Sequence, residues 1–364
     1  MSIPLTDTAT LHPLVLPARA GAAPTPVLRE YAAVRNASIL ESTGRDDDAL
    51  EPEALLPVLA STPDRVRRQW YIESDGRMVG CAVLDISQDG EKDTALVTVA
   101  VLRKAAGRGI GRAVYAHLET VAREAGVRRM LHWAEHHEDG SDAEPLASPT
   151  GFGSVPADRS ARFLLRNGFR LEQVERASEF RWTDDSLPHV TALRDEAARH
   201  AHDYRVVRWM LPTPAEHVDG YAWMKSRMST DVPEGELDMP EETWDAARVA
   251  QQDSRIIRRG WALQVTAAQH IRTGELCAFN ELAIGSDAGA TTHQYDTLVL
   301  AEHRGHRLGM LVKTAGLLAW RTQYPSSARI VTYNAEENRP MLSINEDIGF
   351  TGFAYEGAWK KELT

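Results

Sequence analysis

Hydrophobic and polar positions along this 364-residue chain trace one succession of elements twice. In the first half, Arg68 to Glu73 and Met78 to Ile86 are strand-like runs separated by Asp75-Gly76, a pair that favours the tight two-residue turn of a hairpin. Ala95 to Leu102 alternates and is rich in β-branched residues, which predicts a third strand. It runs into Ala106-Gly107-Arg108-Gly109-Ile110-Gly111-Arg112. Beyond that stretch Ile110, Ala113, Val114, His117, Leu118, Val121 and Ala122 fall on one face of a helix, which Gly126 closes. Val127 to Trp133 reads as the next strand, Ala161 to Asn167 as a short helix ended by Gly168, and Phe169 to Trp182 as a further strand. The polar residues Glu138 to Arg159 predict an exposed, mobile loop between them. Upstream, Leu14 to Leu16 reads as a short strand, and helical patterning covers Leu28 to Leu40 and Pro52 to Leu59.

The pattern restarts after Thr183 to Leu187. Tyr204 to Met210 is strand-like, His217 to Ser229 and the residues up to Ile257 are helical, and Trp261 to Ala268, Leu276 to Ile284 and Thr292 to Leu300 are strands. The last of these enters Arg304-Gly305-His306-Arg307-Leu308-Gly309-Met310. Gly305 minus Gly107 and Gly309 minus Gly111 both give 198. The same offset carries the first helix's apolar face onto Leu308, Leu311, Val312, Ala315, Gly316, Ala319 and Trp320, all apolar or small. The chain therefore reads as a tandem duplication, with one domain over 1–184, a linker helix over 185–201 and a second domain over 202–364.

Net charge is −11, which disfavours a nucleic-acid partner and suits a cationic small-molecule acceptor. The two cysteines, Cys81 and Cys277, lie in apolar runs and no CxxC occurs, which predicts free buried thiols in a reducing cytoplasm. No apolar run is long enough to cross a membrane. His132, Trp133, Glu135, His136 and His137 cluster beside a polar loop and read as surface residues, so no metal is expected.

Two glycine loops of this kind turn backbone amides toward one point at a helix N-terminus, which suits a pyrophosphate. A dinucleotide fold would place the glycines after its first strand, and a phosphate loop would need Gly-Lys-Ser/Thr; neither pattern is present. The sequence resembles the GNAT superfamily of acyl-CoA-dependent N-acyltransferases, present twice. The family's loop is Arg/Gln-x-x-Gly-x-Gly/Ala. Gly109 and Gly111 match it in the first copy, with Ala106 in place of the Arg or Gln; Arg304 and Gly309 match in the second, with Arg307 in place of the middle glycine. Leu164 to Phe169 and Asp347 to Phe350 are similar to the family's later helix-to-strand motif. The tandem arrangement, and Thr332, Asn334, Asn338, Met341, Asn345 and Gly349-Phe350 in the second half, resemble mycothiol synthase-like actinobacterial proteins.

The resemblance implies an α/β fold of two tandem GNAT-like domains, each a splayed, mostly antiparallel sheet with flanking helices. It implies acetyl-CoA as cosubstrate, held by Gly107, Arg108, Gly109, Ile110, Gly111 and Arg112 or by Arg304, Gly305, His306, Arg307, Leu308, Gly309 and Met310, with backbone donors at Val99, Val101, Leu298 and Val299. Asn334 and Asn338 are candidates to bind the pantetheine arm, Asn338 serving equally as a helix cap. An amine attacking a thioester must lose a proton, and Glu281 and Asp296 are the candidate bases, strand alternation leaving the facing of Asp296 open. The family's acid tyrosine is replaced by Leu164 and Asn345, and Tyr333 is the substitute candidate. Tyr221, Trp223, Met224 and Met228 form a helical stripe that is either core or acceptor wall. The reading is a cytoplasmic N-acetyltransferase, monomer or homodimer, acting on a small-molecule amine by direct attack, with the active site in the C-terminal half. A non-catalytic acyl-CoA-binding or sensing module is the alternative; aminoacyl transfer from charged tRNA is disfavoured by the charge.

Overall fold

A computed structural model describes residues 2–17, 23–136, 144–233 and 235–363. They divide into two compact units, one of Met1–Val174, Glu234–Pro240 and Tyr355–Thr364, the other of Glu175–Pro233 and Glu241–Ala354.

The first unit opens with a hairpin of β1 (Ile3–Thr6) and β2 (Ala9–Pro13). The strand expected at Leu14 to Leu16 is in fact this preceding segment. Ala9 and Leu11 point alternately into the core, and Leu14 keeps one backbone bond to Gln69 (2.9 Å) before the chain leaves the sheet. Helix α1 (Pro26–Thr43) begins where the Thr25 hydroxyl caps the Leu28 amide, with Pro26 in the first turn, and stops at Gly44 in the left-handed region. Helix α2 (Pro52–Leu59) follows. β3 (Arg65–Ser74) and β4 (Arg77–Ser87) join through Asp75 and Gly76, whose φ values of 52° and 72° are those a primed turn requires. β5 (Thr94–Val101) completes the meander; a 3-10 turn and the first glycine loop then lead into α3 (Ile110–Glu124) and back to β6 (Arg129–His136). Residues 137–143, including His137 and the start of the expected mobile loop, lie outside the described residues. The rest of that loop carries the short pair β7 (Leu146–Ala147) and β8 (Ser154–Val155). Helix α4 (Arg159–Arg166), capped by Asp158, precedes β9 (Arg170–Arg181).

In the second unit, α5 (Ser186–His200) buries Val190 and Ala197 in a core shared with Leu317 and Trp320. Then come β10 (Tyr204–Met210), α6 (Val218–Asp231), α7 (Ala246–Arg258), β11 (Ala262–His270), β12 (Leu276–Ile284), β13 (Thr292–Val299), the second glycine loop, α8 (Leu308–Gln323), β14 (Arg329–Ala335), α9 (Arg339–Ile348) and β15 (Thr351–Glu362).

Among the described residues the first unit's strands run β1-β2-β3-β4-β5-β6-β15 and the second's run β9-β14-β13-β12-β11-β10. All of these pairings are antiparallel except β5 with β6 and β13 with β14. Each sheet thus closes with a strand from the other half of the sequence. Tyr355 to Glu362 of β15 pairs with β6, and Glu175 to Arg181 of β9 pairs with β14. The first unit also recruits Leu237, buried against Leu131 and Ala358, while Lys360 reaches Asp238 at 2.8 Å. No described helix is long and apolar enough to cross a membrane.

Trp359 is fully buried in the first unit's core, with its indole N–H on His136 Nε2 at 3.1 Å. Trp359→Ala is expected to cost about 3–5 kcal/mol, measured by urea unfolding of the full chain, although it lies five residues from the C-terminus.

Candidate active site

The parallel ladder between β13 and β14 lasts two residues, Thr292 opposite Ile330 and His293 opposite Val331. Beyond it the strands part. Every second backbone N–H of β13 then points away from β12 toward the side that β14 has left. At the same place β13 carries a bulge. Asn280 stands opposite Thr297 but Leu282 opposite Gln294, so three steps on β13 match two on β12, the extra residue lying at Tyr295–Asp296. The bulge resolves the open point about Asp296, because it turns this carboxylate to the side where Glu281 lies.

The two carboxylates meet on Lys225 of α6. Its ammonium donates to Glu281 at 3.2 Å and also to Asp296, and the Tyr221 hydroxyl donates to the same Glu281 oxygen. Tyr221, Lys225 and Glu281 are buried, whereas the Asp296 side chain is 37 % exposed. Burial raises the Glu281 carboxyl above its ordinary range, against the pull of Lys225. Burial also opposes the charge on Lys225, but Asp296 and Glu281 outweigh it and hold its pKa up. Burial and the neighbouring Glu281 push the Tyr221 phenol well above its usual value, so it stays a donor. The cluster sets two carboxyl groups against one ammonium, and Asp296 is where it meets solvent.

The stripe on α6 divides. Tyr221 and Met224 are core, while Trp223 is 52 % exposed with Arg227 over its ring. Trp244 lies 5.2 Å from the Lys225 ammonium.

The remaining predicted residues fall around the splay in different ways. Leu298 turns its side chain into the core with Tyr221 and Met224, and Val299 accepts from Arg304 Nε through its carbonyl at 3.4 Å. Asn338 caps α9 by accepting from Met341 N at 3.4 Å. Asn334 Oδ1 accepts from Asn345 at 2.7 Å, and Asn345 Oδ1 accepts from the Lys313 ammonium at 2.8 Å. Tyr333 is half-buried on β14, opposite Ala177.

Lys313 was not anticipated. It is fully buried on the apolar face of α8 among Met310, Leu311 and Leu317, and burial lowers its pKa to about 7. A lysine inside an otherwise apolar helical face was its sequence signal. Lys225, four residues after Tyr221, was equally readable as sharing its face.

Both glycine loops keep one backbone conformation. Gly107 and Gly109 have φ of 76° and 79°, Gly305 and Arg307 have 88° and 55°. Arg307 therefore holds a left-handed geometry that an L side chain adopts at a cost of about 1 kcal/mol, and its guanidinium pairs with Glu196. The helices start at Ile110 and Leu308, so the first-turn amides of Ile110, Gly111 and Arg112, and of Leu308, Gly309 and Met310, have no intrahelical acceptor. Arg108 is tied to Asp75 and to Thr8, and the His306 ring packs 5.4 Å from that of Tyr204.

The first unit differs at its own splay. The ladder of β5 with β6 lasts from Thr94 to Leu96, and β5 pairs with β4 without a bulge, Val99 opposite Ala82 and Val101 opposite Gly80. His132 spans the gap, its Nδ1 lying 2.8 Å from the Val97 carbonyl and 3.1 Å from the Tyr115 hydroxyl. Burial lowers its pKa to about 4. Subtracting 198 from Glu281 and Asp296 gives Val83 and Thr98, which carry no charge. His132 and His136, read as surface residues, are not so: His132 spans the splay and His136 is buried between Asp158 and Trp359, while Glu135 takes Arg45 in two bonds.

Lys225→Met is expected to destabilise the protein by about 3–5 kcal/mol, because it strands two carboxylates. Since the folded pKa of Lys225 is raised, that contribution is complete below about 10.5 and fades as pH rises further, which urea midpoints across pH will show. Lys313→Met should act oppositely. The folded pKa is depressed, so the wild type loses stability as pH falls from 10.5 to about 7, and the variant's advantage should grow across that window and level off below it.

Residues 35–152 match the model of the acetyltransferase (GNAT) family. No curated protein sequence matches the chain. Among solved structures, a tandem GNAT protein from the clavulanic acid biosynthesis pathway is 22 % identical, with a TM-score of 0.71 over 98 % of this chain and 99 % of that one. A GCN5-related N-acetyltransferase from Sphaerobacter thermophilus gives 14 %, 0.59, and 96 % and 97 % coverage. The glucosamine N-acetyltransferase region of a fungal multi-domain β-N-acetylglucosaminidase gives 12 %, 0.60, and 97 % of this chain over 38 % of that one. The chain has the α/β fold of tandem GNAT proteins, two splayed, mostly antiparallel sheets with flanking helices.

Proposed function

We propose that the protein is an acetyl-CoA-dependent N-acetyltransferase acting on the amine of a small molecule, with its active site in the C-terminal half. The observation that carries this reading is the bulge at Tyr295–Asp296, which puts a partly exposed carboxylate beside the parted strands in one unit and has no counterpart in the other. The cosubstrate supplies the acyl group as a thioester, and the first-turn amides of Leu308, Gly309 and Met310 suit its pyrophosphate. Asp296 attracts the acceptor's ammonium and takes its proton, so that the nitrogen lone pair attacks the thioester carbon; the C–S bond then breaks, and the CoA thiolate leaves and takes a proton from solvent. Glu281 is the weaker base candidate, since Tyr221 and Lys225 occupy it; it positions Lys225, which in turn orients Asp296. Backbone N–H groups among Thr297, Leu298 and Val299 that face away from β12 supply donors for the developing oxyanion. The second carboxyl group on Lys225, partly exposed at Asp296, and the ring of Trp244 favour a cationic amine. Asn334, Asn338 and Asn345 support a place near mycothiol synthase-like two-domain acetyltransferases, and the buried thiols of Cys81 and Cys277 fit a reducing cytoplasm.

A non-catalytic CoA-binding module is the second reading, favoured by one fact: Leu164 and Asn345 stand where the family's acid tyrosine is expected.

Acetyl-CoA with a panel of small amines should release thiol, and Asp296→Asn should lower kcat by about 10²–10⁴-fold. CoA binding by calorimetry without acylation of any amine would establish the second reading. Activity that survives Asp296→Asn and Glu281→Gln but is lost with Gly109→Val would move the site to the first unit.

A further inference from the structure

We propose that Glu275, Cys277 and His303 form a site for a zinc-class divalent ion in the second unit. The sequence carries no cue for it: the first two residues are two apart and the third lies 26 further on. Folding brings them together because Cys277 enters β12 directly after the turn that holds Glu275, while His303 ends the 3-10 turn leaving β13. The Leu300 amide bonds the Cys277 carbonyl at 3.0 Å and fixes that turn over the strand.

Each residue offers one ligand atom, and the three atoms lie within 4.8 Å of one another. His303 Nε2 and Glu275 Oε2 are 3.7 Å apart, slightly wider than the roughly 3.3–3.6 Å between a nitrogen and an oxygen ligand on one tetrahedral zinc. Where the three atoms lie widest, closing onto one ion needs a contraction of about 1 Å, and Glu275, whose side chain is 45 % exposed, is able to move toward the other two.

The orientation of His303 is set by a second observation. Its Nδ1 lies 2.9 Å from the Tyr204 hydroxyl. In the tautomer that donates from Nδ1, the Nε2 lone pair is left for a metal, the arrangement by which an outer hydrogen bond aims a histidine ligand. One sulfur, one imidazole and one carboxylate match the borderline-soft preference of zinc, not the all-oxygen set of magnesium or calcium. Three protein ligands leave one position for water. Without an ion the Cys277 thiol donates to the Glu275 carbonyl at 3.4 Å, and binding releases that proton to solvent. The resulting thiolate and the Glu275 carboxylate then balance the two positive charges of the ion.

The first unit supplies an internal control. Subtracting 198 from Glu275, Cys277 and His303 gives Arg77, Val79 and Ala105. Val79 receives the same backbone bond, from Leu102 at 2.9 Å, and Ala105 ends the same 3-10 turn. The scaffold is shared, but the ligands occur in one copy. The fold alone does not require them.

The test uses the full chain, stripped with chelator and titrated with zinc in a calorimeter and with cobalt in a spectrophotometer. One zinc per chain is expected. Cobalt should give a thiolate charge-transfer band that is lost in Cys277→Ser and retained in Cys81→Ser. Tyr204→Phe should weaken zinc binding by about 10–100-fold. Absence of the cobalt band in the wild-type protein, or its persistence in folded Cys277→Ser, overturns the proposal. Should Cys277→Ser not fold, His303→Gln gives the same decision through loss or retention of the zinc heat.

Discussion

Among the described residues of each unit one pair of strands runs parallel, and its ladder lasts only two or three residues. The rest of the architecture follows from that short contact. A parallel pair needs a crossover, here the glycine loop and a helix, and the crossover puts amides at a helix start beside the strand ends. Where the ladder stops, both strands keep unpaired backbone groups that must find partners. In the first unit the His132 ring provides one, reaching the Val97 carbonyl. In the second the Thr332 hydroxyl reaches the Gln294 carbonyl at 3.3 Å, and the bulge beyond it presents Asp296.

The two copies have therefore diverged through local charge more than through backbone. Their loops share left-handed positions at Gly107 and Gly305 and at Gly109 and Arg307. Their sites do not match. Val83 and Thr98 need no compensation, whereas Glu281 and Asp296 need Lys225, and the buried cluster they form is tolerable because every charge in it faces its opposite. Lys313 solves a buried amine differently: it has an amide partner in Asn345 and no carboxylate, so burial lowers its pKa.

Much of the fold was legible in the sequence. Pro52–Leu59, Tyr204–Met210 and Leu276–Ile284 have the bounds that periodicity predicts, and Asp75-Gly76 makes the predicted turn. Leu14 to Leu16 misled because three consecutive apolar residues look like a strand, while the true strand, Ala9–Pro13, alternates too briefly to stand out. Tyr115 escaped the predicted face of its helix although it is buried there beside Val114. At the site, Glu281 and Asp296 were legible as residue types, but the bulge that aligns them was not, since one extra residue on a strand leaves no mark in composition.

Local patterning determined the elements, the duplication and the two loops, because each depends on residues within a few turns or one hairpin of each other. Tertiary structure alone decided three things. It sent β15 to the first unit and β9 to the second, a choice of partner made by core packing and ladder register between strands far apart in sequence. It placed Lys225 between two carboxylates from different strands. It also brought Glu275, Cys277 and His303 within reach of one another. Each of these joins groups far apart in sequence, and the distances and burial that give them their chemistry exist only once the sheet has closed.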